Sequence, residues 1–114
     1  MFTEKRRNPR FAFVAAAEIT NKESSGKLAT RVSELSANGC YIDEQNPFPS
    51  GTIVALKIIA ESEVFEATAK VLYAHANLGM GLAFEEVSLR SGGVLREWLR
   101  AAKAREEKSH PQGS

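Results

Sequence analysis

Cysteine is almost missing from this chain. It occurs once in 114 residues, at Cys40. That excludes a disulfide within the chain and makes a small core residue its expected role. Histidine is nearly as scarce: His110 lies in the polar end and His75 stands alone near Tyr73 and Asn77. No histidine metal cluster can be built from them, and His75 reads as a residue at a strand end. No apolar run approaches the roughly 20 residues that span a membrane. The basic start is not followed by the apolar stretch of a signal peptide, because Pro9 and Arg10 interrupt it. A cytoplasmic, reducing setting with no membrane span is expected. Neither charge is in excess: 15 Lys and Arg face 14 Asp and Glu, for a net charge of +1. The chain therefore lacks the global basic field of a protein that grips nucleic-acid polymers. Few of its aromatics fall outside the expected core, which also disfavours a stacking platform for single strands.

The templates for catalysis are lacking as well. Cys40 has no histidine near it in sequence, and the acidic pairs Asp43-Glu44, Glu85-Glu86 and Glu106-Glu107 are adjacent residues. Neighbours on a strand point to opposite faces, so such pairs form no carboxylate dyad. Gly79-Met80-Gly81 is followed by neither a Lys-Ser/Thr pair nor a helix start, and is not a phosphate loop. No enzyme and no bound cofactor or metal is expected.

What is there is mostly period two. Phe11, Phe13, Ala15, Ala17 and Ile19 alternate onto one side, and so do Phe65, Ala67, Ala69, Val71 and Tyr73. Between them, 28–35, 40–42 and 52–59 read as strands, and 79–84 as a last strand entered through glycines. Asn21 to Gly26, Asn38-Gly39 and the proline-bearing Asn46 to Gly51 are turns. Strands at this density with short turns indicate an antiparallel barrel or sandwich. The period then changes: Leu95, Trp98, Leu99 and Ala102 lie on one helical face that should pack on the sheet. Gly92-Gly93 costs a helix about 1 kcal/mol per residue, so the helix starts either after that pair or weakly at Ser88. The reading divides the chain into a flexible arginine-rich segment over 1–10, one domain over 11–105 and a flexible tail over 106–114.

Two constellations stand out. The first is Arg6-Arg7-Asn8-Pro9-Arg10, placed just before the first strand. Pro9 biases Asn8 away from helix, leaving the segment extended or turned. An arginine fork grips a phosphate, or the O6 and N7 edge of guanine, through two parallel hydrogen bonds. The second is Glu34-Leu35-Ser36-Ala37-Asn38-Gly39. If Glu34 and Ser36 share a strand, they face the same way. A carboxylate accepts from donors on a base edge, a hydroxyl donates or accepts, and a glycine admits close approach to the backbone.

In this order and at this distance, the two resemble the signature of the PilZ domain family. That signature is R-x-x-x-R ahead of the first strand, then [D/N]-x-S-x-x-G. Arg6 and Arg10 match the first motif; Glu34, Ser36 and Gly39 stand at the second. The glycine-rich run Gly79 to Phe84 and the following helix also fit, and the resemblance spans about residues 4 to 103. It implies a six-stranded antiparallel β-barrel with a C-terminal α-helix. It further implies a receptor or adaptor in bacterial second-messenger signalling that binds cyclic di-GMP and acts on a protein partner the sequence does not identify. Arg6 and Arg10 would then meet phosphates and guanine edges, Arg7 would add a cation, and Ser36 and Gly39 would line the barrel side. Glu34 departs from the pattern, since Asp or Asn is expected there. One methylene longer, its carboxylate reaches guanine donors by a shift, clashes, or bridges to an arginine and holds the site closed. The alternative reading is a degenerate adaptor that no longer binds the nucleotide.

Overall fold

The computed structural model describes residues 9 to 109. Six strands form a closed antiparallel barrel: β1 (Phe11–Asn21), β2 (Lys27–Leu35), β3 (Gly39–Asp43), β4 (Ile53–Ala60), β5 (Glu63–His75) and β6 (Gly79–Val87). Their order around the barrel is β1-β2-β3-β6-β5-β4. The strand pattern alone left barrel and sandwich open, and the family resemblance implied the six-stranded barrel that is seen: β1 pairs with both β2 and β4, which closes the sheet on itself and removes its edges. The connection from β3 to β4 carries the chain past β6 and β5, and its Phe48 packs against the core.

The alternating residues fill the interior. Ile19, Val32, Leu35, Ile42, Val54, Ile58, Phe65, Val71 and Met80 are fully buried. Each such side chain contributes about 1.5–3 kcal/mol relative to exposure. Cys40 lies in this core, and burial pushes its thiol far above the ordinary range. A thiol whose folded pKa is raised costs stability only as pH climbs through the pKa of the unfolded thiol. Because the thiolate is the nucleophile, Cys40 should resist iodoacetamide at pH 8 in the native chain and react fully in denaturant, as read by intact mass. Rapid native alkylation would contradict its burial.

Helix α1 (Leu89–Ser109) packs on β1 and β5. It starts at the Ser88 option: Ser88 Oγ accepts from the Ser91 N–H at 3.1 Å, an N-cap. Beyond the last β5–β6 pair, the Glu66 N–H donates to buried Ser91 Oγ at 3.0 Å, tying the first turn to the barrel. Leu95, Trp98 and Ala102 are buried, and the Trp98 ring lies 5.2 Å from Phe13 and 6.4 Å from Phe65. The helix also continues through 106–109, past the boundary the sequence reading set at 105, because Ala-, Lys- and Glu-rich sequence has no stop signal there.

Gly92 and Gly93 thus sit inside a helix without steric need. The nearest heavy atom to a Cβ at either one would be 4.0 Å away, an ordinary contact. Gly92→Ala is therefore expected to stabilise the chain by about 0.5–1 kcal/mol, read as a higher melting temperature. A lower one would mean the first turn is not helical.

Candidate functional site

The turn between β2 and β3 is built by Ser36. Its N–H donates to the Gly39 carbonyl at 2.9 Å, and its hydroxyl donates to that same oxygen at 3.2 Å. The hydroxyl also accepts from the N–H groups of Gly39 at 3.1 Å and Asn38 at 3.3 Å. A hydroxyl has one proton and two lone pairs, so its capacity is committed to the turn. The strand ends at Leu35, one residue short of Ser36, so the two motif residues do not share a strand.

Gly39 opens β3 opposite Ala83 of β6. Its backbone is not in the left-handed region; the reason for glycine is proximity. A Cβ there would lie 2.1 Å from the Leu82 carbonyl oxygen. The turn signal in Asn38-Gly39 points to the right place for a different reason. Asn38 adds the clasp: its carbonyl accepts from the Phe84 N–H at 2.8 Å.

Outside this turn lies a cavity of about 310 Å³ lined by Arg10, Glu34, Ser36, Gly39, Tyr41 and Tyr73, with Asn38, Leu72, Gly81 and Ala83 beside them. The volume is at the lower end of small-molecule sites, about 300–1,000 Å³. Arg10, at the mouth of β1, and Glu34, on β2, approach to 3.5 Å with each side chain 47% exposed. A half-exposed pair of this kind is worth about 0–1 kcal/mol. Arg6 and Arg7 lie outside the described residues.

Two tyrosines complete the wall. Tyr41 follows Gly39 by two on β3 and so shares its outer face. Tyr73 was expected inward, with Val71. An extra residue in β5, Leu72, breaks the pairing between Val71↔Leu82 and Tyr73↔Gly81. That bulge moves Tyr73 to the outer face, where it is 38% exposed. Its ring lies over Gly81, whose Cβ would meet it at 2.4 Å, and stands 6.3 Å from the Tyr41 ring. Partial burial first, then Tyr73, Asp43 and Glu34, hold the Tyr41 phenol above its ordinary range. Period two made Tyr41 findable; a one-residue bulge hid Tyr73.

Asp43, at the far end of β3, is committed elsewhere. It receives Arg31 Nε at 3.0 Å and Ser33 Oγ at 2.9 Å, locking β2 to β3. The cavity can therefore offer a cationic fork, a carboxylate, two aromatic rings and a glycine-lined backbone. That set suits a planar base with an attached anion. Among the described residues no group of three or more His, Cys, Asp or Glu could hold a metal ion.

The model of the PilZ domain matches residues 4–101. Among solved structures, the barrel is similar to the inhibitor of motility MotI/DgrA of Bacillus subtilis, with TM-score 0.75 and 19% identity. That match covers 96% of this chain, which spans only 55% of the Bacillus protein. The PilZ domain of YcgR from Escherichia coli, solved with c-di-GMP, matches with TM-score 0.71 and 17% identity, over 95% of this chain and 100% of that one. The PilZ domain of CeSA from a cellulose-synthesizing bacterium matches with TM-score 0.62 and 17% identity, over 86% and 98% of the two chains. No curated protein sequence matches. With the family model covering nearly all of the barrel and helix, the chain belongs to the PilZ domain family.

Proposed function

We propose that this chain is a cyclic di-GMP receptor that binds the nucleotide in the cavity between Arg10 and the β2–β3 turn. One observation carries the reading: Arg10, Glu34, Ser36 and Gly39, separate in sequence, line one cavity of ligand size in a PilZ domain. Arg10 holds a phosphate or a guanine edge. Glu34 accepts from the guanine donors once it leaves Arg10. Tyr73 and Tyr41 offer stacking faces, and Ser36 shapes the turn. Arg6 and Arg7 add the further cations that a dianion needs, since Arg10 faces a carboxylate within the cavity. The bound nucleotide changes the surface shown to a protein partner. The Escherichia coli relative solved with c-di-GMP is consistent with this ligand.

The Arg10–Glu34 contact favours a second reading, an adaptor whose own carboxylate occupies the arginine and excludes the nucleotide. Isothermal titration of the chain with cyclic di-GMP separates the two. Saturable heat supports the receptor. A flat titration at tens of micromolar protein supports the adaptor and ends the first reading.

A further inference from the structure

A second concavity lies on the other side of the same entering strand. Pro9 and Phe11 face Gly93, Leu99 and Lys103 of α1 across a groove of about 490 Å³. Pro9 lines this groove while the next residue, Arg10, lines the nucleotide cavity. The floor is apolar: Phe11 is buried and Leu99 is half-buried. The rim is cationic. Arg96, Arg100 and Lys103 recur at spacings of four and three, one stripe of the helix, against the single carboxylate Glu97. Glu97 is already held by Arg100, at 2.9 and 3.0 Å. Among the described residues Arg96 and Lys103 have no carboxylate partner. Gly93 keeps the upper wall low, because it lacks a side chain beside Arg96.

We infer that this groove docks an acidic, apolar-centred peptide segment of a protein partner. Charge complementarity selects the occupant. Three cations over one carboxylate favour an anionic segment, and an apolar floor favours one with a large hydrophobic side chain between its acids. The chain's own first residues are not what this charge selects, because Lys5, Arg6 and Arg7 against Glu4 carry the sign of the groove. A lipid surface fits less well, because the apolar residues lie in a concavity rather than on a projecting face, and Glu97 opposes anionic headgroups. Docking here does not depend on the nucleotide reading.

The probe is a short synthetic peptide of glutamates flanking a Leu-Phe pair, labelled for anisotropy and titrated into the ¹⁵N-labelled chain. Saturable binding is expected, with amide shifts centred on Phe11, Gly93, Leu99 and Arg100. Raising salt should weaken it. The double variant Arg96→Glu/Lys103→Glu should lose on the order of tenfold in affinity, about 1.4 kcal/mol. Both side chains are exposed, so its circular dichroism and melting should match the parent. The same peptide with lysine for glutamate should not bind. Any of four results overturns the inference: equal binding of the lysine peptide, shifts centred away from the groove, a folded double variant that binds as the parent, or no saturation. Co-sedimentation with phosphatidylglycerol vesicles that the double variant loses would assign the groove to a membrane instead. A dimer in sedimentation that the variant breaks would assign it to a second copy.

Discussion

Arg10→Ala is expected to weaken cyclic di-GMP binding by on the order of 100-fold in isothermal titration. A hydrogen bond to a charged group contributes about 1.5–3 kcal/mol, and a guanidinium fork makes two of them in a fixed plane. Against this stands the contact with Glu34, which must open first; at 3.5 Å and half exposed it offsets at most about 1 kcal/mol. The net is about 2–5 kcal/mol, and a factor near 100 lies toward the lower end of that range. Lys27→Ala, at the far end of β2, should leave the titration unchanged. Glu34→Ala in the Arg10→Ala background tells whether the carboxylate serves the ligand or only restrains the arginine. If it only restrains Arg10, removing it costs nothing once Arg10 is gone, and the cycle shows that coupling directly. Arg10→Ala binding within twofold of the parent would remove Arg10 from the site.

Gly39→Val is expected to lower the melting temperature by about 10–20 °C, the effect of losing about 3 kcal/mol in a domain of this size. The reason is contact with backbone, not with a yielding side chain. A Cβ at Gly39 meets the Leu82 carbonyl oxygen at 2.1 Å, and the next atoms, Leu82 C and Ala83 Cα, lie at 3.2 and 3.4 Å. Relief requires β3 to draw away from β6 over the pairs Gly39↔Ala83 and Cys40↔Leu82, which also form the cavity wall. Overpacking of this kind typically costs 1–3 kcal/mol, and here the broken ladder adds to it. The opposite sign expected for Gly92→Ala makes the comparison a sharp one, glycine required by proximity against glycine merely tolerated. A Gly39→Val chain melting within a few degrees of the parent would mean that β3 and β6 are not this close.

Most strands were legible because burial on one face writes period two into local sequence. β1 reads as Phe11, Phe13, Ala15, Ala17 and Ile19, and its buried row is the same set, with Phe13 half-buried. The helix face Leu95, Trp98 and Ala102 was equally plain. The start of α1 was not, because intrinsic propensity argues against Gly92-Gly93 while the Ser88 cap and the Ser91 tie to Glu66 argue for it. The cap is local, but the tie to Glu66 depends on where the β5–β6 pairing stops, which joins residues 25 apart in the chain. Ser36 lines the cavity, yet its hydroxyl serves the turn. Nothing in a Ser-x-x-Gly string distinguishes those two uses.

The order of these residues was therefore legible in local sequence: an arginine before the first strand, a carboxylate late in the second and a glycine turn after it. Local sequence determines these because each depends on residue type and short spacing. The tertiary structure decided three things. It closed the sheet by pairing β1 with β4. It turned Tyr73 outward through the Leu72 bulge. It set Arg10 against Glu34. Each of these joins residues far apart in the chain, and a single extra residue in one strand reverses the face of everything beyond it until the register recovers.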